Sequence, residues 1–228
     1  MQTTHDVDLT QPVYVYEIPV RLWHWLMAGC IVILSITGYL IANPLPTVSG
    51  EAINHHVMGT IRYLHFVTAY IFTVAFLARA YWALVGNHHA HQIFILPIWS
   101  KAWWEEVFFE IRWYTFMESK PRKCLGHNPL AQTAMFFFIV LGSVFMILTG
   151  FALYGEGTGI GTWQYNWFSC WITPLFGGGQ YVHLWHNLGM WLILCFVMIH
   201  VYLTIREDIM SKQTIMSTMV NGYRVFKD

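Results

Sequence analysis

Residues 181–205 read YVHLWHNLGMWLILCFVMIHVYLTI. No Asp, Glu, Lys or Arg interrupts them, yet they hold His183, His186 and His200. Hydrocarbon about 30 Å thick is crossed at about 1.5 Å per residue, so about 20 apolar residues make a spanning helix. Three further stretches meet that condition. Residues 25–42 and 129–154 carry no charge, and residues 63–85 carry only Arg79. Four such runs in one chain predict an all-α membrane protein, a bundle of four transmembrane helices over residues 1–228 as a single integral domain. The helices are expected at about 22–42, 63–85, 130–154 and 182–205. The N-terminal segment carries Asp6, Asp8 and Glu17, unlike a secretory signal peptide, so the first apolar run is expected to persist as a helix.

The rest of the composition agrees. The 228 residues are 56% hydrophobic and 18% aromatic, with a mean hydropathy of +0.46. Charged residues are 11% of the chain, against roughly 25% in soluble domains. A disordered chain is excluded, and a soluble globule would need a more charged surface. The net charge is zero, which gives no footprint for nucleic acid. Cys30, Cys124, Cys170 and Cys195 form no CxxC pair, so neither a zinc ribbon nor a disulfide framework is signalled.

Lys and Arg set the expected orientation. Of the 12, only Arg62 falls in the loops after helices 1 and 3. The other eleven are Arg21, Arg79, Lys101, Arg112, Lys120, Arg122, Lys123, Arg206, Lys212, Arg224 and Lys227. Both termini and the long middle loop are therefore expected in the cytoplasm. Within that loop, Trp103, Trp104, Val107, Phe108 and Ile111 recur at helical spacing, with Glu105, Glu106, Glu110 and Arg112 largely elsewhere. This predicts an amphipathic interfacial helix at about 100–118. An ordinary helix covering the bundle would show the same pattern. The glycine-rich outer loop, Gly155–Gly161 to Gly177–Gly179, is expected to fold only against something else.

Ionisable residues at membrane depth are costly and usually functional. Depth sorts the histidines into two layers, His24 with His200 and His65 with His186 or His183. His186 and His200 are 14 residues apart, roughly 40° short of four full turns and about 21 Å along the axis, so they face nearly the same way. His183 points elsewhere, which makes His186 the better ligand candidate. Two stacked His–His pairs in a four-helix bundle suit two bis-imidazole haems. No CxxCH occurs, so covalent attachment is excluded and haem b is the expected cofactor. A single membrane histidine is often only hydrogen-bonded to a neighbouring helix; four sorted by depth and face argue for ligation. His88, His89 and His91 lie in the cytoplasmic loop, where a surface metal cluster is disfavoured.

A weak internal repeat relates SITGYLI (35–41) to ILTGFAL (147–153). Aligning His65 with His186 sets Arg79 against His200. Gly38 and Gly150 would permit close approach of a macrocycle or a helix. Arg79 is expected near the cytoplasmic haem, neutralising a propionate or a semiquinone anion, or else snorkelling to the interface.

The motifs are similar to those of a known family. RLWHWL (21–26) followed by Thr37-Gly38 resembles the first helix of the b-type cytochrome subunit of membrane-bound nickel–iron uptake hydrogenases. HLWHNLGMW (183–191) and HVYLTIREDIM (200–210) resemble its fourth helix, and STMVNGYR (217–224) resembles its end. The resemblance implies two haems b on His24, His65, His186 and His200. It implies a multi-pass subunit of the bacterial inner membrane that anchors the small and large hydrogenase subunits on the periplasmic face. Electrons would enter at the outer haem and reduce a quinone near the cytoplasmic interface, with Glu17, Glu207 or Asp208 as candidate proton relays. The chain carries no nickel or iron–sulfur cysteine set, so the hydrogen-activating site is expected on another subunit. The cytochrome b subunit of a formate dehydrogenase shares the haem plan, and a haem-free His-lined transporter is the rival from another class.

Overall fold

The computed structural model describes residues 11–46, 49–51, 53 and 55–226; Asp6, Asp8 and Lys227 lie outside them. Four helices are long and apolar enough to cross a membrane: α1 (Ile18–Ala42), α2 (Val57–Val85), the continuous helix Pro129–Thr158, and α7 (Gly179–Ser211). The protein is a multi-pass membrane protein. Each helix runs beyond its apolar stretch at one end or both, because backbone hydrogen bonding continues into the polar interface.

The third spanning helix is not uniform. It consists of α4 (Pro129–Met135), a π-helical turn at Phe136–Leu141, and α5 (Gly142–Thr158). Asn128 caps its start, its side chain accepting from the Ala131 N–H, with Pro129 in the first turn where a missing N–H costs nothing. Outside the spanning helices are α3 (Lys101–Tyr114), α6 (Cys170–Phe176) and α8 (Ile215–Asn221). A two-residue antiparallel ladder joins β1 (Val13–Tyr14) to β2 (Tyr223–Arg224).

Two compact units emerge from the packing. Of the described residues, the first holds 11–24, Ala78–Val140 and 196–226, and the second holds those within Trp25–Leu77 and Leu141–Cys195.

In the first unit, the ladder is continued by Val15 N–H donating to Gly222 O at 2.8 Å and packs beside Val20 and Ala90. The α3 helix buries Trp103, Val107, Phe109, Glu110 and Trp113, while Trp104, Phe108 and Ile111 stay exposed. The expected apolar stripe is thus split between two faces. Trp103 and Val107 turn inward, and Glu110, expected on the polar side, turns inward with them. The cause is polar: Trp113 Nε1 donates to Glu207 Oε2 at 2.9 Å, and Asn128 Nδ2 donates to Glu110 Oε2 at 3.2 Å.

In the second unit, the glycine-rich loop does fold against a partner. A π-helical turn at Tyr165–Ser169 leads into α6, and Ile172 packs with Ala152 and Val182. Ser169 Oγ donates to Ala152 O at 2.6 Å. Gly177 ends α6 at φ +85°, a conformation that side chains strongly disfavour.

Candidate functional site

In the second unit, two threonines on α1 and α5 each meet a histidine. Thr37 Oγ1 lies 2.8 Å from His65 Nδ1, and Thr149 Oγ1 lies 2.8 Å from His186 Nδ1. Each hydroxyl also bonds back along its own helix, Thr37 to Ile33 O at 2.7 Å and Thr149 to Phe145 O at 2.8 Å. A hydroxyl has one proton, and the backbone carbonyl can only accept it. Each threonine oxygen therefore accepts from the histidine Nδ1–H. That fixes the tautomer and leaves the Nε2 lone pair of His65 and His186 available to a metal.

The glycine after each threonine clears the space. A Cβ at Gly38 would stand 3.3 Å from His65 Cε1, and one at Gly150 would stand 3.3 Å from His186 Cε1. The short TG repeat thus builds the same cradle twice. His183 is exposed, whereas Thr149 seats His186.

In the first unit, His24 and His200 approach with ring centres 6.4 Å apart and planes at 53°. Phe196 stacks on His200 at 5.7 Å, and Phe138 from the π-helical turn stacks on Phe196 at 5.3 Å. A π-helical turn re-aims side chains locally, which is why such turns gather at functional sites. Arg79 is 3% exposed, so it does not snorkel. Its Nη2 donates to Ala90 O at 2.5 Å, and its guanidinium lies over Trp23 (5.3 Å) and Phe94 (5.1 Å). Its Nε and Nη1 are buried without a partner, as is Trp23 Nε1.

The proposed proton carriers have structural partners. Glu17 accepts from Trp82 Nε1 at 3.0 Å and from Asn87 N–H at 2.9 Å. Asp208 accepts from Met216 N–H at 3.1 Å, and Glu207 is held by Trp113 and Arg206.

Two groups are less solvated than periodicity or sequence position suggests, the Tyr16–His127 pair and Glu110. Tyr16 Oη and His127 Nδ1 are 2.9 Å apart; desolvation, then the Arg224 guanidinium, holds the His127 ring down at about 3, so it is neutral. Glu110 is pushed up to about 7, chiefly by burial and then by Glu207 and Glu106. No motif marks either group. Their burial follows from the docking of α3 and of the segment before α4.

Among the described residues, no three His, Cys, Asp or Glu side chains converge on a metal position. A bis-imidazole haem needs only two. Two imidazoles that share one metal ion need ring centres about 6 Å apart. The His24–His200 spacing fits that requirement, and the buried donors of Arg79 and Trp23 fit a carboxylate-bearing group beside it.

The chain matches the prokaryotic cytochrome b561 family over residues 15–222. It is 57% identical over 216 residues to a probable Ni/Fe-hydrogenase B-type cytochrome subunit of Azotobacter chroococcum mcd 1, covering 95% of this chain and 90% of that one. It is 55% identical over 215 residues to the similarly named protein of Cupriavidus necator, covering 94% and 88%. To the probable Ni/Fe-hydrogenase 1 B-type cytochrome subunit of Escherichia coli (strain K12) it is 51% identical over 220 residues, covering 94% and 91%. On the sequence match and the helical plan together, the chain belongs to the prokaryotic cytochrome b561 family.

Proposed function

We propose that this chain is the di-haem b electron-transfer and anchor subunit of a membrane-bound nickel–iron hydrogenase. It passes electrons from the small and large subunits on the periplasmic face of the bacterial inner membrane to quinone. The observation that carries the reading is the duplicated Thr–His bond, which leaves Nε2 of His65 and His186 available to iron. The names of the relatives support the hydrogenase partner. The excess of Lys and Arg on one side supports cytoplasmic termini.

His65 and His186 would hold one haem, and His24 and His200 the other. When bound, haem b supplies a reversible one-electron couple within an apolar bundle. The residues do the rest. Thr37 and Thr149 keep two imidazoles in one tautomer, Gly38 and Gly150 leave room beside them, and Phe196 and Phe138 brace His200. His183 is the alternative to His186, but Thr149 seats His186.

The test is purification of the chain with whatever accompanies it. The reading expects two haems b per chain by pyridine haemochrome and a co-purifying hydrogenase small subunit. A formate dehydrogenase subunit in its place would reassign the partner. A haem-free chain would overturn the cytochrome reading in favour of a transporter.

A further inference from the structure

We infer that the Arg79 guanidinium and the Trp23 indole N–H together receive a propionate carboxylate of the haem held by His24 and His200, making that haem the more easily reduced of the two. This rests on the di-haem reading above.

Among the described residues, every buried charged side chain lies in the first unit: Arg79, Glu110, Arg206, Glu207 and Arg224. The polar side chains buried in the second unit are hydroxyls: Thr37, Thr68, Ser143, Thr149 and Ser169. Arg62, three residues before His65, is exposed. The two histidine pairs therefore sit in unlike electrostatic surroundings.

Within the first unit the cations are not equivalent. Arg206 is paired with Glu207 at 3.3 Å, and Arg224 Nη1 donates to Cys124 O and Gly126 O, which leaves its Nε as its one unpartnered buried nitrogen. Arg79 has one carbonyl and two aromatic faces, and two of its N–H groups point at nothing. A buried cation without a counter-charge is costly, and so is each buried donor without an acceptor. Trp23 lies next to the ligand His24 in sequence, has Arg79 over its ring at 5.3 Å, and its own N–H is also without a partner. Three unpaired donors on two touching residues suit one carboxylate, which offers about four lone-pair sites. Trp23 and His24 are consecutive on α1, so the guanidinium that lies over the Trp23 ring sits against the helical turn that carries His24.

A haem held by His24 and His200 would take up one electron on reduction. No bond would form or break, and the proposed reading supplies the electron from the other haem of the chain. A fixed buried positive charge favours the reduced state, and the apolar surroundings strengthen that effect.

The experiment is a spectroelectrochemical titration of the purified complex, with haem counted by pyridine haemochrome. His200→Ala and His186→Ala assign the two one-electron waves. The His24–His200 wave should be the higher. In Arg79→Gln it should fall by at least a tenfold loss in its reduction equilibrium, about 59 mV for one electron. The other wave should stay in place, and Arg79→Lys should restore part of the shift. If Arg79→Gln instead loses that haem alone, restoration by lysine supports the proposal and failure to restore it overturns it. With both haems retained, unmoved waves, equal movement of both, or a lower His24–His200 wave overturns it. Fewer than two haems in the unaltered chain overturns the di-haem reading itself, whatever Arg79 does.

Discussion

Thr149 Oγ1 stands 2.8 Å from Nδ1 of His186 while its own proton goes to Phe145 O. The threonine is thereby an acceptor toward the ring, and the ring's other nitrogen is the one left to bind. Thr149→Val keeps the shape and removes the acceptor. It should lower haem affinity at that position roughly tenfold, the lower end of what such supporting contacts are worth. Thr149→Ser should retain the affinity. Haem-to-protein ratios under stepwise haem depletion check this, and equal retention in Val and Ser variants would dismiss the hydrogen bond.

The choice between His183 and His186 on α7 follows from the same contact. His186→Ala should remove one haem of two and leave the other spectrum intact. His183→Ala, which alters an exposed ring, should leave both in place. The opposite pattern would move the ligand assignment to His183. Haem stoichiometry and the low-temperature α-band, recorded for both variants, decide it.

The four spanning helices were legible because a 20-residue apolar run has few other uses, and the helical angle between His186 and His200 favoured His186 while keeping His183 as its alternative. The threonines were not legible as hydrogen-bond acceptors. The TG repeat shows small residues, but only the back-bond to Ile33 or Phe145 reveals which atom holds the proton. Glu110 misled the reading because periodicity counts a carboxylate as polar and cannot see Asn128 and Glu207 approaching from other elements. Phe138 was invisible for a different reason: a π-helical turn shifts the facing of every later residue, and nothing in FFFIVL announces the extra residue.

The glycines give a steric test with one distance. A Cβ at Gly150 meets His186 Cε1 at 3.3 Å and nothing else within 4 Å. Such a contact forces the ring to yield by a few tenths of an ångström. Gly150→Ala should therefore weaken haem retention without unfolding the helix, where alanine is the better former by about 1 kcal/mol. The expected result is a raised or unchanged thermal midpoint for the apoprotein and a lowered haem content. An alanine variant with full haem content would show that the ring has slack.

Glu110 supplies the pH-dependent prediction. Its carboxyl is raised from 4.5 to about 7, by burial first and then by Glu207 and Glu106, against the opposing pull of Arg122 and Arg206. The folded chain thus binds this proton more tightly than the unfolded chain does. Below pH about 4.5 both states hold it, and the group is neutral in its effect. As pH rises from there toward 7 the unfolded chain releases its proton first, so stability declines, and above 7 the loss is complete. Glu110→Gln keeps an oxygen for Asn128 Nδ2–H and removes the titration. Relative to the unaltered protein it should gain up to ~2 kcal/mol above pH 7, allowing for partial screening, and little at pH 4.5. For a chain of this size that is a rise of roughly 4–8 °C in the unfolding midpoint at pH 8. Thermal unfolding in detergent at pH 4.5 and pH 8 measures the difference directly. A gain of the same size at both pH values would mean that Gln acts through packing rather than through the buried charge.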